Sequence, residues 1–141
     1  MGTIVSSTVW GYPIVLSLHA IGMATMVGVS LMLALRVLGF ASDVPVAAIA
    51  AYWRVALCGL ALNLASGAAL FSGDSSTLFF NWAFRIKLLF VAVGLALTWR
   101  LVRVCVLRGD DVCAARRMLA GAAMSAWIAA IVSGRLIGYS A

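Results

Sequence analysis

The sequence predicts an all-α fold: an antiparallel bundle of four transmembrane helices forming one domain. Three observations predict it. Hydrophobic residues make up 65% of the 141 positions and charged residues 10%. A soluble domain holds about 45–50% apolar and about 25% charged residues, so this chain has too little polar surface to cover its core in water. The apolar positions fall into four long stretches, each meeting the roughly 20 residues that a membrane helix needs. The connections between the stretches are short and carry the turn residues, which makes neighbouring helices antiparallel.

The first predicted span runs over 10–38 and opens on Trp10, Tyr12 and Pro13. Aromatic rings anchor at membrane interfaces, and proline is tolerated in a first helical turn. The span stops near Arg36 and Gly39, and Asp43 and Pro45 mark the entry to the next. The second span covers 46–71 and ends in the loop Ser72-Gly73-Asp74-Ser75-Ser76-Thr77. The third covers 78–105, with Arg100 and Arg103 at its far end. The fourth covers 114–139, with Arg116 and Arg117 in its first turns.

The net charge is +6, and five of the ten basic residues lie between Arg100 and Arg117. They sit at the ends of apolar stretches, the pattern of the positive-inside rule, so the expected partner is the lipid bilayer and not nucleic acid. The side holding the first and third loops has Arg36, Arg54, Arg100, Arg103, Arg108, Arg116 and Arg117; the other has Arg85, Lys87 and Arg135. This asymmetry predicts a multi-pass protein of the bacterial inner membrane with both termini periplasmic. No cleaved signal peptide is expected, because the first basic residue is Arg36. Cys58, Cys105 and Cys113 lack metal-binding spacing and read as reduced or packed thiols.

Five polar residues converge in depth. His19 lies nine residues beyond Trp10, Asn63 eight before Phe71 and Lys87 eight after Phe79. At 1.5 Å per residue all three fall about 12–14 Å below the outer face. Arg85 lies slightly above this level, and Arg135, four residues before Tyr139, lies about 6 Å deep. Ionisable groups at such depth cost about 2.5–3.5 kcal/mol each on insertion scales. No acidic residue stands in the outer halves of the helices. The surplus of positive charge calls for an anion, for water, or for side chains that snorkel to the headgroups.

Each residue has alternatives. His19 is an interhelical hydrogen-bonding group, a haem or metal ligand, or a proton carrier. Lys87, Arg85 and Arg135 either snorkel or hold an anion. Asn63 is interhelical glue or a pocket residue. Gly59, Asn63 and Gly67 share one helix face, Gly134 and Gly138 form a second small-residue pair, and Ala24 and Gly28 a third. These read as packing faces, or as room for a flat ligand. Met23 and Met26 are core filler or pocket lining. No nucleotide-binding, serine-hydrolase or zinc-protease motif occurs.

Three stretches carry a resemblance: Ser17-Leu18-His19-Ala20-Ile21-Gly22-Met23 with Leu35-Arg36-Val37-Leu38-Gly39, Asn81-Trp82-Ala83-Phe84-Arg85-Ile86-Lys87-Leu88, and Ser133-Gly134-Arg135-Leu136-Ile137-Gly138-Tyr139. Together they resemble a family of small, uncharacterised bacterial four-helix membrane proteins. The layout is more distantly similar to b-type membrane cytochromes and copper-resistance D membrane proteins. That likeness implies haem b with His19 as iron ligand and Arg85 and Arg135 as propionate partners, while Lys87 and Asn63 shape the pocket. Electrons would pass between a quinone pool and a periplasmic redox partner. Bis-histidine ligation needs a second histidine, and the chain has one. Sharing between protomers of a homo-oligomer, five-coordination, or a water, methionine or Lys87 as sixth ligand remain open. The other classes are a carrier or channel for a small anion or metal ion, and a structural subunit of a larger membrane complex.

Overall fold

The computed structural model describes residues 10–40, 42–73, 80–108 and 113–136. Among them the fold is all-α, with no strand. Helix α1 spans Gly11–Leu38, α2 Val46–Ala51, α3 Trp53–Gly73, α4 Trp82–Arg108 and α5 Ala114–Leu136. Four stretches are long and apolar enough to cross a membrane, with α2 and α3 counting together as one.

Helix boundaries follow local chemistry. Helix α1 ends at Gly39, whose φ of 109° suits a residue without a Cβ. The Gly39 N–H donates to the Arg36 carbonyl and the Phe40 N–H to the Leu35 carbonyl, a Schellman closure. Arg117 on α5 donates to the Leu38 carbonyl at 3.1 Å, and Arg36 donates to the Val44 carbonyl, so two arginines hold this turn. Helix α4 begins at Trp82, where the Asn81 carboxamide oxygen caps the Ala83 and Phe84 N–H groups at 2.9 and 3.4 Å; the predicted start of this span, 78–79, lies outside the described residues. The predicted second span is broken at Tyr52, where the Tyr52 N–H reaches the Ile49 carbonyl in a three-residue turn. The last part of the predicted fourth span, 137–139, lies outside the described residues.

Helix α1 is central to the packing: it lies against α3 along most of its length and also against α5, which in turn pairs with α4. The buried core draws on all five helices. Leu33, Val37, Val46, Leu101, Cys105 and Trp127 are completely buried there, and the Trp127 indole N–H donates to the Thr98 hydroxyl at 3.0 Å. Gly94 leaves space for that ring, since a Cβ there would lie 3.0 Å from it. Two clefts meet at His19 and Lys87.

Candidate functional site

Small residues on α1 and α3 create the setting for His19. A Cβ on Gly22 would stand 2.7 Å from the Asn63 nitrogen and the Gly59 carbonyl, so the two backbones touch. Gly59, Asn63 and Gly67 all face α1, as their common spacing predicts. The close approach lets Asn63 Nδ2 donate to the His19 carbonyl at 3.0 Å. In return His19 Nδ1 lies 3.1 Å from the Asn63 carbonyl. A carbonyl only accepts, so Nδ1 carries the proton. Gly67 gives the imidazole its room, since a Cβ there would lie 3.2 Å from His19 Cε1.

Ser66 completes the cradle. Its hydroxyl donates to the Leu62 carbonyl at 2.6 Å, and its oxygen stands 3.2 Å from His19 Nδ1 as a second acceptor. Sequence reasoning missed Ser66. The signal was its spacing of three from Asn63, which places both on the α1-facing side of one helix.

The other imidazole nitrogen faces α4. Lys87 Nζ donates to His19 Nε2 at 3.4 Å. The lysine stem lies over Gly134 of α5, where a Cβ would stand 3.4 Å from Lys87 Cδ and Cε. Four helices therefore meet at one polar pair.

The pair is reached from two sides. Between α1 and α5 lies a cleft of about 670 Å³ whose polar lining is His19, Lys87 and Arg135. Its walls are apolar and small, with Met23, Ala24, Val27, Gly28 and Ile131 among them. Along α1 this lining runs from Leu16 to Leu31, about 22 Å at 1.5 Å per residue. Between α3 and α4 lies a second cleft of about 410 Å³, lined by His19, Asn63 and Lys87 together with the Phe71–Phe84 pair. Those rings stack at 5.8 Å with an interplanar angle of 18°.

Of the five residues singled out in the sequence, His19, Lys87 and Arg135 share the α1–α5 cleft, and His19, Asn63 and Lys87 share the α3–α4 cleft. Arg85 lines neither; it is exposed, two positions from Lys87 and so on the other side of α4. Met23 lines the larger cleft, while Met26 is core filler. Ala24 and Gly28 do not make a helix contact: Ala24 is exposed, and a Cβ on Gly28 would meet nothing within 4 Å. Both widen the cleft instead. Gly138 and Tyr139 lie outside the described residues.

No acidic residue lies on α1, α3, α4 or α5. Among the described residues, no group of three or more His, Cys, Asp and Glu side chains is placed to hold a metal ion. Compared with protein-family models, curated proteins and solved structures, the chain matches none.

Proposed function

We propose that the chain is an antiparallel four-helix transmembrane bundle that binds a lipophilic organic acid in the α1–α5 cleft. The observation that carries this reading is the composition of that cleft. Lys87 and Arg135 stand with His19 in a long apolar cavity, on helices that supply no carboxylate. A ligand with an acidic head and an apolar body matches both parts.

The membrane placement draws support from exposure. Ile14, Ile21, Leu64, Leu89 and Val132 are all more than half exposed on helices long enough to span. In water such a surface is an aggregation liability; in a bilayer it is the normal outer face. Contacts that run in opposite senses support the antiparallel arrangement: Gly22 meets Gly59 while His19 meets Gly67, and Lys87 meets Gly134 while Thr98 meets Trp127. The basic residues around the first and third loops favour the bacterial inner membrane with periplasmic termini.

Lys87 has three N–H donors, and His19 takes one of them. The remaining two are free to meet a carboxylate or phosphate without breaking that bond. Arg135 adds a planar fork suited to the same oxygens. His19 serves as a positioning residue: its Nδ1 is fixed by Asn63 and its Nε2 holds the lysine in the cleft.

Haem b, an amphipathic acid that also carries a redox-active iron, is the second reading. The observation that favours it is the Nδ1 bond to the Asn63 carbonyl, which is how an imidazole ligand is oriented. Arg135 suits a propionate, and a bound haem would supply one-electron redox chemistry. The fit fails at the iron, because Lys87 stands at Nε2 and would have to leave. The arrangement therefore serves an acidic head better than an iron atom.

The test is native mass spectrometry and a visible spectrum of protein extracted from its own membrane. The expected result is a colourless protein carrying an acidic ligand that is missing from Arg135→Gln. A b-type spectrum lost in His19→Ala establishes the second reading, and a ligand-free wild type overturns both.

A further inference from the structure

A second cationic cluster lies away from His19, near the first and third loops. Its centre is Arg103 on α4, whose guanidinium stands over the Trp99 ring at 5.1 Å. Trp99 in turn meets Trp53, at the start of α3, at 5.6 Å and 50°. That contact brings Arg54 to the same end as Arg100 and Arg103, and all three arginines are exposed. None of their side chains makes an ion pair or hydrogen bond among the described residues, where Asp43 is the sole carboxylate side chain. Stacking uses the flat face of the Arg103 guanidinium and leaves the N–H groups on its edge for an acceptor. The surroundings fix the kind of acceptor. The span Trp82–Leu107 has 26 residues, about 39 Å at 1.5 Å per residue against about 30 Å of hydrocarbon. A centred helix then leaves about 4–5 Å beyond the hydrocarbon at each end, and Arg103 stands about 6 Å from Leu107, close to that edge. From Trp99 the same face of α4 continues towards the membrane centre through Ala96 and Ala92, all exposed. A cationic head position above an apolar strip suits an anion that carries its own acyl chain.

We propose that Arg103, Arg100 and Arg54 hold the headgroup phosphate of an anionic phospholipid, with an acyl chain lying along Trp99, Ala96 and Ala92. A zwitterionic lipid offers the same phosphate but brings a cation of its own, which three arginines repel, so the seat selects a headgroup of net negative charge. The proposal rests on the membrane placement alone. It shares no residue with the acid-binding cleft and lies towards the opposite end of α4 from Lys87.

The experiment is native mass spectrometry of the full chain released from nanodiscs of equal phosphatidylglycerol and phosphatidylcholine, with the retained lipids counted. Recovery of each variant in the membrane fraction is scored separately, so that loss of lipid preference and loss of membrane placement are distinct results. The expected result is a preference for phosphatidylglycerol of about five-fold or more in the wild type, lowered about five-fold in Arg103→Gln. Arg85→Gln removes the same charge at the other end of α4 and keeps the preference. Gly28→Leu fills the α1–α5 cleft, where a side chain meets no neighbour, and Ala68→Leu narrows the α3–α4 cleft at an exposed position; both keep it too. Equal retention of the two lipids by the wild type overturns the proposal. So does a preference that survives Arg103→Gln, falls equally in Arg85→Gln, or is lost in Gly28→Leu or Ala68→Leu.

Discussion

At the scale of single residues, the governing fact is that a histidine inside an apolar helix has two ring nitrogens to satisfy. Asn63 and Ser66 take one, Lys87 takes the other, and Gly67 and Gly134 leave the space in which this can happen. Cys113 shows the same logic at a helix start. The Arg116 backbone N–H holds its thiol below the ordinary cysteine range; slight burial opposes this, and the Ala115 N–H and the Arg116 charge assist. A lowered value means that thiolate appears at lower pH, so alkylation starts earlier as pH rises. In a Cys58→Ser, Cys105→Ala background, the rate of reaction with iodoacetamide should reach half its maximum at a lower pH than a cysteine in an unstructured, terminally blocked peptide does. A midpoint equal to that of the blocked-peptide cysteine contradicts the reading. The polar level of His19, Asn63 and Lys87 was legible in the sequence because rise per residue fixes depth. Azimuth was less legible: Arg85 and Lys87 share a depth but not a face, and Ser66 looked like any small helical residue.

At the scale of elements, the α1–α3 seam is a backbone contact made possible by paired glycines. A Cβ on Gly59 would stand 2.8 Å from Thr25 Cβ and 2.9 Å from the Gly22 carbonyl, and neither can yield without moving a helix. Gly59→Val should therefore destabilise the fold by at least about 1–3 kcal/mol, seen as a lower melting temperature in detergent. Gly28→Val, with open space around it, should melt like the wild type; equal effects of the two would remove the seam from the account. Three helix ends were readable from turn chemistry, with Gly39 the plainest. The break at Tyr52 was not, because no glycine or proline stands at that position to announce it. The Asn81 cap was also missed, since the apolar run continues through Leu78, Phe79 and Phe80 and hides where the helix starts. Ala24 and Gly28 left two readings, a packing face or room for a flat ligand, and they line a cleft.

At the scale of the whole molecule, the described chain combines a buried core, which includes Trp127, Leu33 and Leu101, with two clefts that meet at one polar pair. Composition and the placement of the apolar stretches predicted the four long apolar helices. Which pairs of helices close and which stay apart depends on side-chain volume at facing positions, and a single sequence does not reveal the facing. The central claim is that Lys87 and Arg135 hold an acidic head in the α1–α5 cleft. Its most direct test is titration of the nanodisc protein with cis-parinaric acid, a fluorescent lipophilic acid, read by energy transfer from tryptophan. The account predicts saturable transfer, weakened about ten-fold in Lys87→Met and in Arg135→Gln by loss of a charge-assisted hydrogen bond, abolished in Gly28→Leu and retained in Ala68→Leu. Transfer that rises without saturation and equally in all five proteins would contradict it.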